Sequence, residues 1–317
     1  MKNVLVIGSA GQIGSELVAA LRNDSRFGTI VAGHTTRTPL PNHLIETGPS
    51  EIVDILDGQR MAEVVKHYQI DTIYNLAALL SATAESKPLA AWNVGVNGII
   101  NTLEVAKTYG CAVFTPSSIG VFGPETPHMM TPQDTVCRPK TMYGITKVTG
   151  ELLSDYYFHK YGVDTRSVRY PGLISYMTPP GGGTTDYAVE IFYSAVKDEE
   201  FVCPIAPGTF MDMAFMSDAI DAAINLMTAD ASQLKHRNSF NVTGMSFDPE
   251  MLATEIRKRL PTFKMRYEID PLRQSIAESW PDRMDDSCAR EEWGWNPKVG
   301  LSEMVDIMLR ELKVRLA

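Results

Sequence analysis

Tyr143 and Lys147 stand four residues apart at the head of a run whose residue types fit a helix. That spacing puts the phenol and the ammonium on one helix face. A neighbouring cation favours the phenolate, and a phenolate is a base able to take a hydroxyl proton. Upstream, Thr115-Pro116-Ser117-Ser118 closes a short apolar run, where hydroxyls can point into the crevice at the carboxyl end of a parallel sheet. A Tyr-x-x-x-Lys pair taken alone is most often a surface pair. Its weight here comes from order: a glycine-rich turn, then a serine-bearing strand end, then the tyrosine helix.

The glycine-rich turn is Gly8-Ser9-Ala10-Gly11-Gln12-Ile13-Gly14, between an apolar strand and an amphipathic helix. Glycines at these positions permit a tight turn, close approach of a pyrophosphate and close packing of helix on strand. The first helical amides, at Gln12 and Ile13, then face the pyrophosphate with a partial positive charge. Asp54-Ile55-Leu56-Asp57 offers a carboxylate to an adenine amino group, although turn aspartates would read the same. Asn75-Leu76-Ala77-Ala78 ends a strand in small residues that let backbone approach a cofactor.

The elements that must position these groups alternate short β-rich runs with longer helical ones. Strands are expected at 3–8, 29–33, 72–77, 112–116 and 165–170, and helices at 12–22, 59–68, 89–109 and 142–161. Such alternation gives an α/β fold, a Rossmann-type doubly wound parallel sheet with a smaller C-terminal substrate domain. The expected division is 1–172 for dinucleotide binding and 173–317 mainly for substrate, with segments near 210–245 returning to the first domain. A strand at 240–242 fits that return.

Composition narrows the function. With 29 basic against 38 acidic residues the net charge is −9, the wrong sign for attraction to nucleic acid or anionic lipid. No run approaches the roughly 20 apolar residues of a membrane span, and the N-terminal run is too short for a signal peptide. A cytoplasmic enzyme is expected. Cys111, Cys137, Cys203 and Cys288 are scattered and the six histidines are dispersed, so no metal is expected.

The ordered motifs resemble the extended short-chain dehydrogenase/reductase family along essentially the whole chain. The resemblance implies a catalytic set of Ser118, Tyr143 and Lys147, because Val121-Phe122-Gly123 matches the family's Val-Tyr-Gly marker just past the catalytic hydroxyl. It implies cofactor contacts from Gly8, Gly11, Gly14, Asp54 and Ile55, supported by Ala77 and Asn97 and joined by Leu76, Ala78, Tyr143, Lys147 and Tyr170. Asp286-Ser287-Cys288-Ala289-Arg290 and Gly294-Trp295-Asn296-Pro297 resemble its closing segment. A homodimer through the helices at 89–109 and 142–161 follows from the same likeness. The implied cofactor is NAD. His34, however, stands where an acidic residue would hold the ribose 2′-hydroxyl, and Arg37 is nearby, so NADP is not excluded.

Two features choose among branches. Nucleotide-sugar epimerases clamp a diphosphate with an Arg in an Arg-x-Tyr/Phe-x-His-Val-x-Asp pattern. Aligned on Asp218, this chain has Met211 at the Arg and Phe215 at the His. Conversely, Pro179-Pro180-Gly181-Gly182-Gly183-Thr184-Thr185-Asp186-Tyr187-Ala188, Arg169-Tyr170-Pro171-Gly172-Leu173-Ile174-Ser175 and Ser279-Trp280-Pro281-Asp282 resemble the branch that oxidises L-threonine. The expected substrate is therefore a small amino acid, its headgroup held by Ser81, Thr184, Thr185 and a Gly183 N–H, with Ser118 and Tyr143 on its hydroxyl. The alternatives are a nucleotide-sugar epimerase and a non-catalytic dinucleotide sensor.

Overall fold

The computed structural model describes residues 2–181, 183–197 and 199–316. Gly182 of the expected substrate loop lies outside them. The chain forms two compact units, one of Met1–Ser118, Thr141–Arg169 and Ile220–Phe240, the other of Ile119–Lys140, Tyr170–Ala219 and Asn241–Ala317. Residues 119–140, assigned to the first domain by a division at 172, cluster in the second unit, and the return to the first is Ile220–Phe240.

The first unit is built on β1 (Lys2–Ile7), β2 (Phe27–His34), β3 (Ser50–Ile52), β4 (Thr72–Asn75), β5 (Ala112–Phe114) and β6 (Thr165–Arg166). They form a six-stranded sheet in the order β3-β2-β1-β4-β5-β6, every pairing parallel. Val4, Leu5 and Val6 are fully buried, as expected of a central parallel strand covered on both faces. The chain order reverses between β1 and β4. In open α/β sheets that switch point opens the crevice where ligands bind.

Helices α1 (Gln12–Arg22), α2 (Gly58–Tyr68), α3 (Gly98–Tyr109) and α4 (Met142–Tyr161) complete the unit. Their ends carry local signals. Asp57 caps α2 by accepting from the Arg60 amide at 2.9 Å, and Thr141 caps α4 by accepting from Gly144 at 3.1 Å. Gly110 and Gly162 close α3 and α4 in the left-handed region, at φ 73° and 71°.

Two expected elements are broken in the fold. The 89–109 helix is interrupted by a π-helical turn at Asn93–Asn97. Asn93, Gly95 and Asn97 are weak helix formers, and Gly95 seats Thr146 of α4: a Cβ at 95 would lie 2.8 Å from the Thr146 Cβ. The 165–170 strand breaks at Ser167, whose hydroxyl accepts from the Ser239 amide at 2.6 Å, so β6 alone stays in the sheet. The strand expected at 72–77 ends at Asn75, and that at 240–242 is Phe240–Asn241.

The second unit holds β7 (Gly172–Ile174), β8 (Met211–Phe215) and β9 (Met245–Phe247), with β8 parallel to β7 and antiparallel to β9. Tyr187, Phe192, Met213, Phe247, Leu252 and Met304 anchor its separate apolar core. Among the described residues no helix is long and apolar enough to cross a membrane.

Candidate active site

The glycine turn sits at the switch point. Gly8 has φ 84°, and its amide donates to Gly33 O at 3.0 Å, at the end of β2. A Cβ at Gly8 would lie 3.0 Å from the Ala77 nitrogen and the Leu76 carbonyl carbon, just past β4. At Gly14 it would stand 2.2 Å from Gly8 O, and at Gly11 3.3 Å from the same oxygen. Side chains are thus excluded from the cradle by backbone. Gly11 caps α1 with no side-chain bond, and the first turn holds no acidic residue. The first amides of a helix have no partner inside it, so the Gln12 and Ile13 amides fit a pyrophosphate.

The remaining cofactor candidates differ in character. His34 is half-buried at the end of β2, its Nδ1 3.3 Å from Thr35 O. Asp54 accepts from the Leu56 amide at 3.0 Å, the local turn role open to it from the start. Ile55 is buried, and a Cβ at Gly98 would lie 2.9 Å from its Cγ1. Leu76 and Ala77 are half-buried and Ala78 is exposed. Asn97 is exposed and donates to Asn93 Oδ1 at 2.9 Å.

Tyr143 and Lys147 project from one face of α4. The Lys147 ammonium lies 5.5 Å from the Tyr143 ring centroid and donates to Pro116 O at 2.7 Å. Pro116 was not among the sequence candidates, because a carbonyl acceptor leaves no mark in residue type. Ser118 is half-buried in the strand end Ser117–Ser118. Ser117 donates to Glu151, which also accepts from Arg169. Successive strand residues alternate in direction, and Ser118 is the less buried of the two serines. Sequence reasoning missed Ser117, Glu151 and Arg169. The usable signal was Glu151 one turn past Lys147 on the same helix face. Ser81 is buried at the start of the helix Ser81–Ser86.

In the second unit Thr184 is buried and Thr185 half-buried, at the start of a short turn, Thr184–Asp186. Thr185 packs where Gly172 leaves room: a Cβ at 172 would lie 2.8 Å from the Thr185 Cγ2. The Gly183 N–H, expected on the substrate, donates to Asp186 Oδ2 at 2.7 Å and is satisfied within the loop. Tyr170, expected at the cofactor, is buried, and its hydroxyl donates to Ala219 O at 2.6 Å. Met211 and Phe215 lie in the apolar core. Asp218 accepts from the Lys298 and Val299 amides, both at 3.0 Å.

Comparison with known proteins gives a consistent set of likenesses. Residues 4–243 match the model of the NAD dependent epimerase/dehydratase family. The X-ray structure of L-threonine dehydrogenase from Clostridium difficile is 52% identical, with TM-score 0.95, covering 99% of this chain and 98% of that one. The holo form of a GalE-like L-threonine dehydrogenase from Cupriavidus necator is 47% identical, with TM-score 0.93, covering 98% and 99%. An uncharacterized epimerase/dehydratase of Staphylococcus aureus (strain MRSA252) is 50% identical over 99% of this chain and 97% of its own.

Proposed function

The chain belongs to the NAD dependent epimerase/dehydratase family, and within that family we propose that it is an L-threonine 3-dehydrogenase. It oxidises the side-chain alcohol of L-threonine to the ketone, giving 2-amino-3-ketobutyrate. The observation that carries this reading is full-length likeness to two L-threonine dehydrogenases at 52% and 47% identity.

NAD, bound along the glycine turn, supplies the hydride acceptor. Tyr143, as the phenolate, takes the proton of the substrate hydroxyl. Ser118 holds that hydroxyl by a hydrogen bond and orients its carbon. Lys147, tethered to the Pro116 carbonyl, keeps a positive charge 5.5 Å from the centre of the Tyr143 ring. Thr185, Thr184 and Ser81 offer hydroxyls to the amino-acid headgroup.

A nucleotide-sugar substrate fits less well. With apolar side chains at Met211 and Phe215, a diphosphate would lose charge-assisted bonds of about 1.5–3 kcal/mol each. The enzyme is cytoplasmic in this reading, in keeping with four cysteines widely spaced along the chain. It is a homodimer through the helices flanking the site, where Leu89, Trp92, Leu152 and Tyr156 are exposed apolar side chains.

The direct test follows reduced-nicotinamide absorbance with L-threonine, L-serine and UDP-glucose. Threonine should reduce NAD, serine far more slowly, and UDP-glucose not at all. Turnover of the UDP-sugar with no response to threonine would overturn the assignment.

A further inference from the structure

Pro116, Ser117 and Ser118 carry three different tasks on consecutive residues. The Pro116 carbonyl receives the Lys147 ammonium at 2.7 Å, and Ser118 is the proposed substrate-orienting hydroxyl. Ser117, between them, donates to Glu151 Oε1. Arg169 grips the same carboxylate with two bonds of 2.9 Å, Nε to Oε1 and Nη2 to Oε2. Ser117, Glu151 and Arg169 are only 5%, 8% and 6% exposed, which places a charged pair in the interior of the unit.

A buried ion pair is a poor source of net stability, because desolvation offsets most of the attraction. A two-bond guanidinium–carboxylate contact does fix geometry, since both planar groups are locked in one orientation. Its location is specific: Glu151 follows Lys147 by one helical turn, as Lys147 follows Tyr143. One face of α4 therefore carries the base, its cation and this carboxylate in succession. Ser117 links that face to the strand end that must align with it.

We propose that the Glu151–Arg169 pair, acting through Ser117, is the positioning device that fixes the Pro116 carbonyl and the Ser118 hydroxyl against Tyr143 and Lys147. The proposal rests on the reading of Ser118, Tyr143 and Lys147 as the reacting set. Glu151, Arg169 and Ser117 act only through those residues and are positioning residues. Released from Glu151, the strand end is free to rotate. Ser118 then loses its aim, and Lys147 loses the carbonyl that holds it beside the phenol.

The test compares Ser117→Ala, Ser117→Thr and Glu151→Gln with the wild-type enzyme. The readouts are kcat and KM for L-threonine with NAD, the urea midpoint, and hydrogen exchange of the Thr115, Ser117 and Ser118 amides. Ser117→Ala should lower kcat about tenfold, since small misplacements of reacting groups are costly. KM should change little. The urea midpoint should hold while the three amides exchange faster. Glu151→Gln should show the same kinetic and exchange pattern more strongly, with a lower urea midpoint because the Arg169 charge stays buried without its partner. Ser117→Thr, which keeps the hydroxyl, should recover most of the rate. If the wild type does not turn over threonine, the functional reading fails, and the exchange comparison by itself decides the positioning claim. Folded Ser117→Ala with wild-type exchange, and with wild-type kcat where threonine is turned over, would overturn the proposal.

Discussion

A side-chain carbon on Gly14 would stand 2.2 Å from the carbonyl oxygen of Gly8. The two glycines are the first and last of the turn, and no rotamer can relieve a clash between a Cβ and backbone. Gly14→Ala should push α1 away from β1, cost about 1–3 kcal/mol of stability, and weaken NAD binding at least about tenfold. Calorimetric titration with NAD and urea unfolding check the two effects separately.

His34 ends β2, where a carboxylate would discriminate against a 2′-phosphate. The wild type should prefer NAD over NADP only modestly. His34→Asp should raise the NAD:NADP ratio of kcat/KM by about tenfold or more, roughly 1.4 kcal/mol. An unchanged ratio would remove His34 from ribose recognition.

Asp212 of β8 is fully buried, and burial pushes its carboxyl up to about 7, although Thr243 and the Met284 amide donate to it. Its protonated form is favoured in the folded protein and its ionised form in the unfolded chain. Its contribution to stability is therefore complete below about pH 4 and is lost as pH rises towards 7, by about 4 kcal/mol for a shift of this size. Urea midpoints between pH 5 and 8 should fall with pH at this site, and Asp212→Asn should flatten that slope.

Much of the fold was legible because its signals are local. The turn from Gly8 to Gly14, the Thr141 cap and the closing Gly162 each declare an element boundary in residue type. The π-helical turn at Asn93–Asn97 was not legible, because it depends on Thr146 seating against Gly95 from another helix. The break at Ser167 likewise depends on Ser239, far along the chain. For the candidate site, the placement of Tyr143 and Lys147 on one helix face was readable from their spacing, and that of Ser118 at a strand end from the short apolar run before it. The Pro116 carbonyl was invisible, since every residue carries one. The Gly183 N–H was read as available to a ligand, but the Asp186 carboxylate three residues on takes it. A side chain able to reach back to its own loop competes with any substrate for that donor.

Lys147 should matter through its charge as well as its tether. Lys147→Ala should lower kcat and weaken NAD binding together, since the site loses its cation and the contact with the Pro116 carbonyl. Ser118→Ala should lower the rate with NAD binding nearly unchanged, because its task is orientation of the substrate hydroxyl. The kcat of both variants at saturating NAD and threonine, with calorimetric titration of NAD, separates the two roles.

The central claim is that the Tyr143 oxygen takes the substrate proton. Tyr143→Phe removes that oxygen and little else, so the measurement is kcat of the folded variant at saturating L-threonine and NAD, alongside its NAD affinity. General-base catalysis typically contributes about 10²–10⁴-fold, so a loss of at least about a hundredfold with nearly unchanged NAD binding is the predicted result. A Tyr143→Phe enzyme that keeps most of its turnover would contradict it.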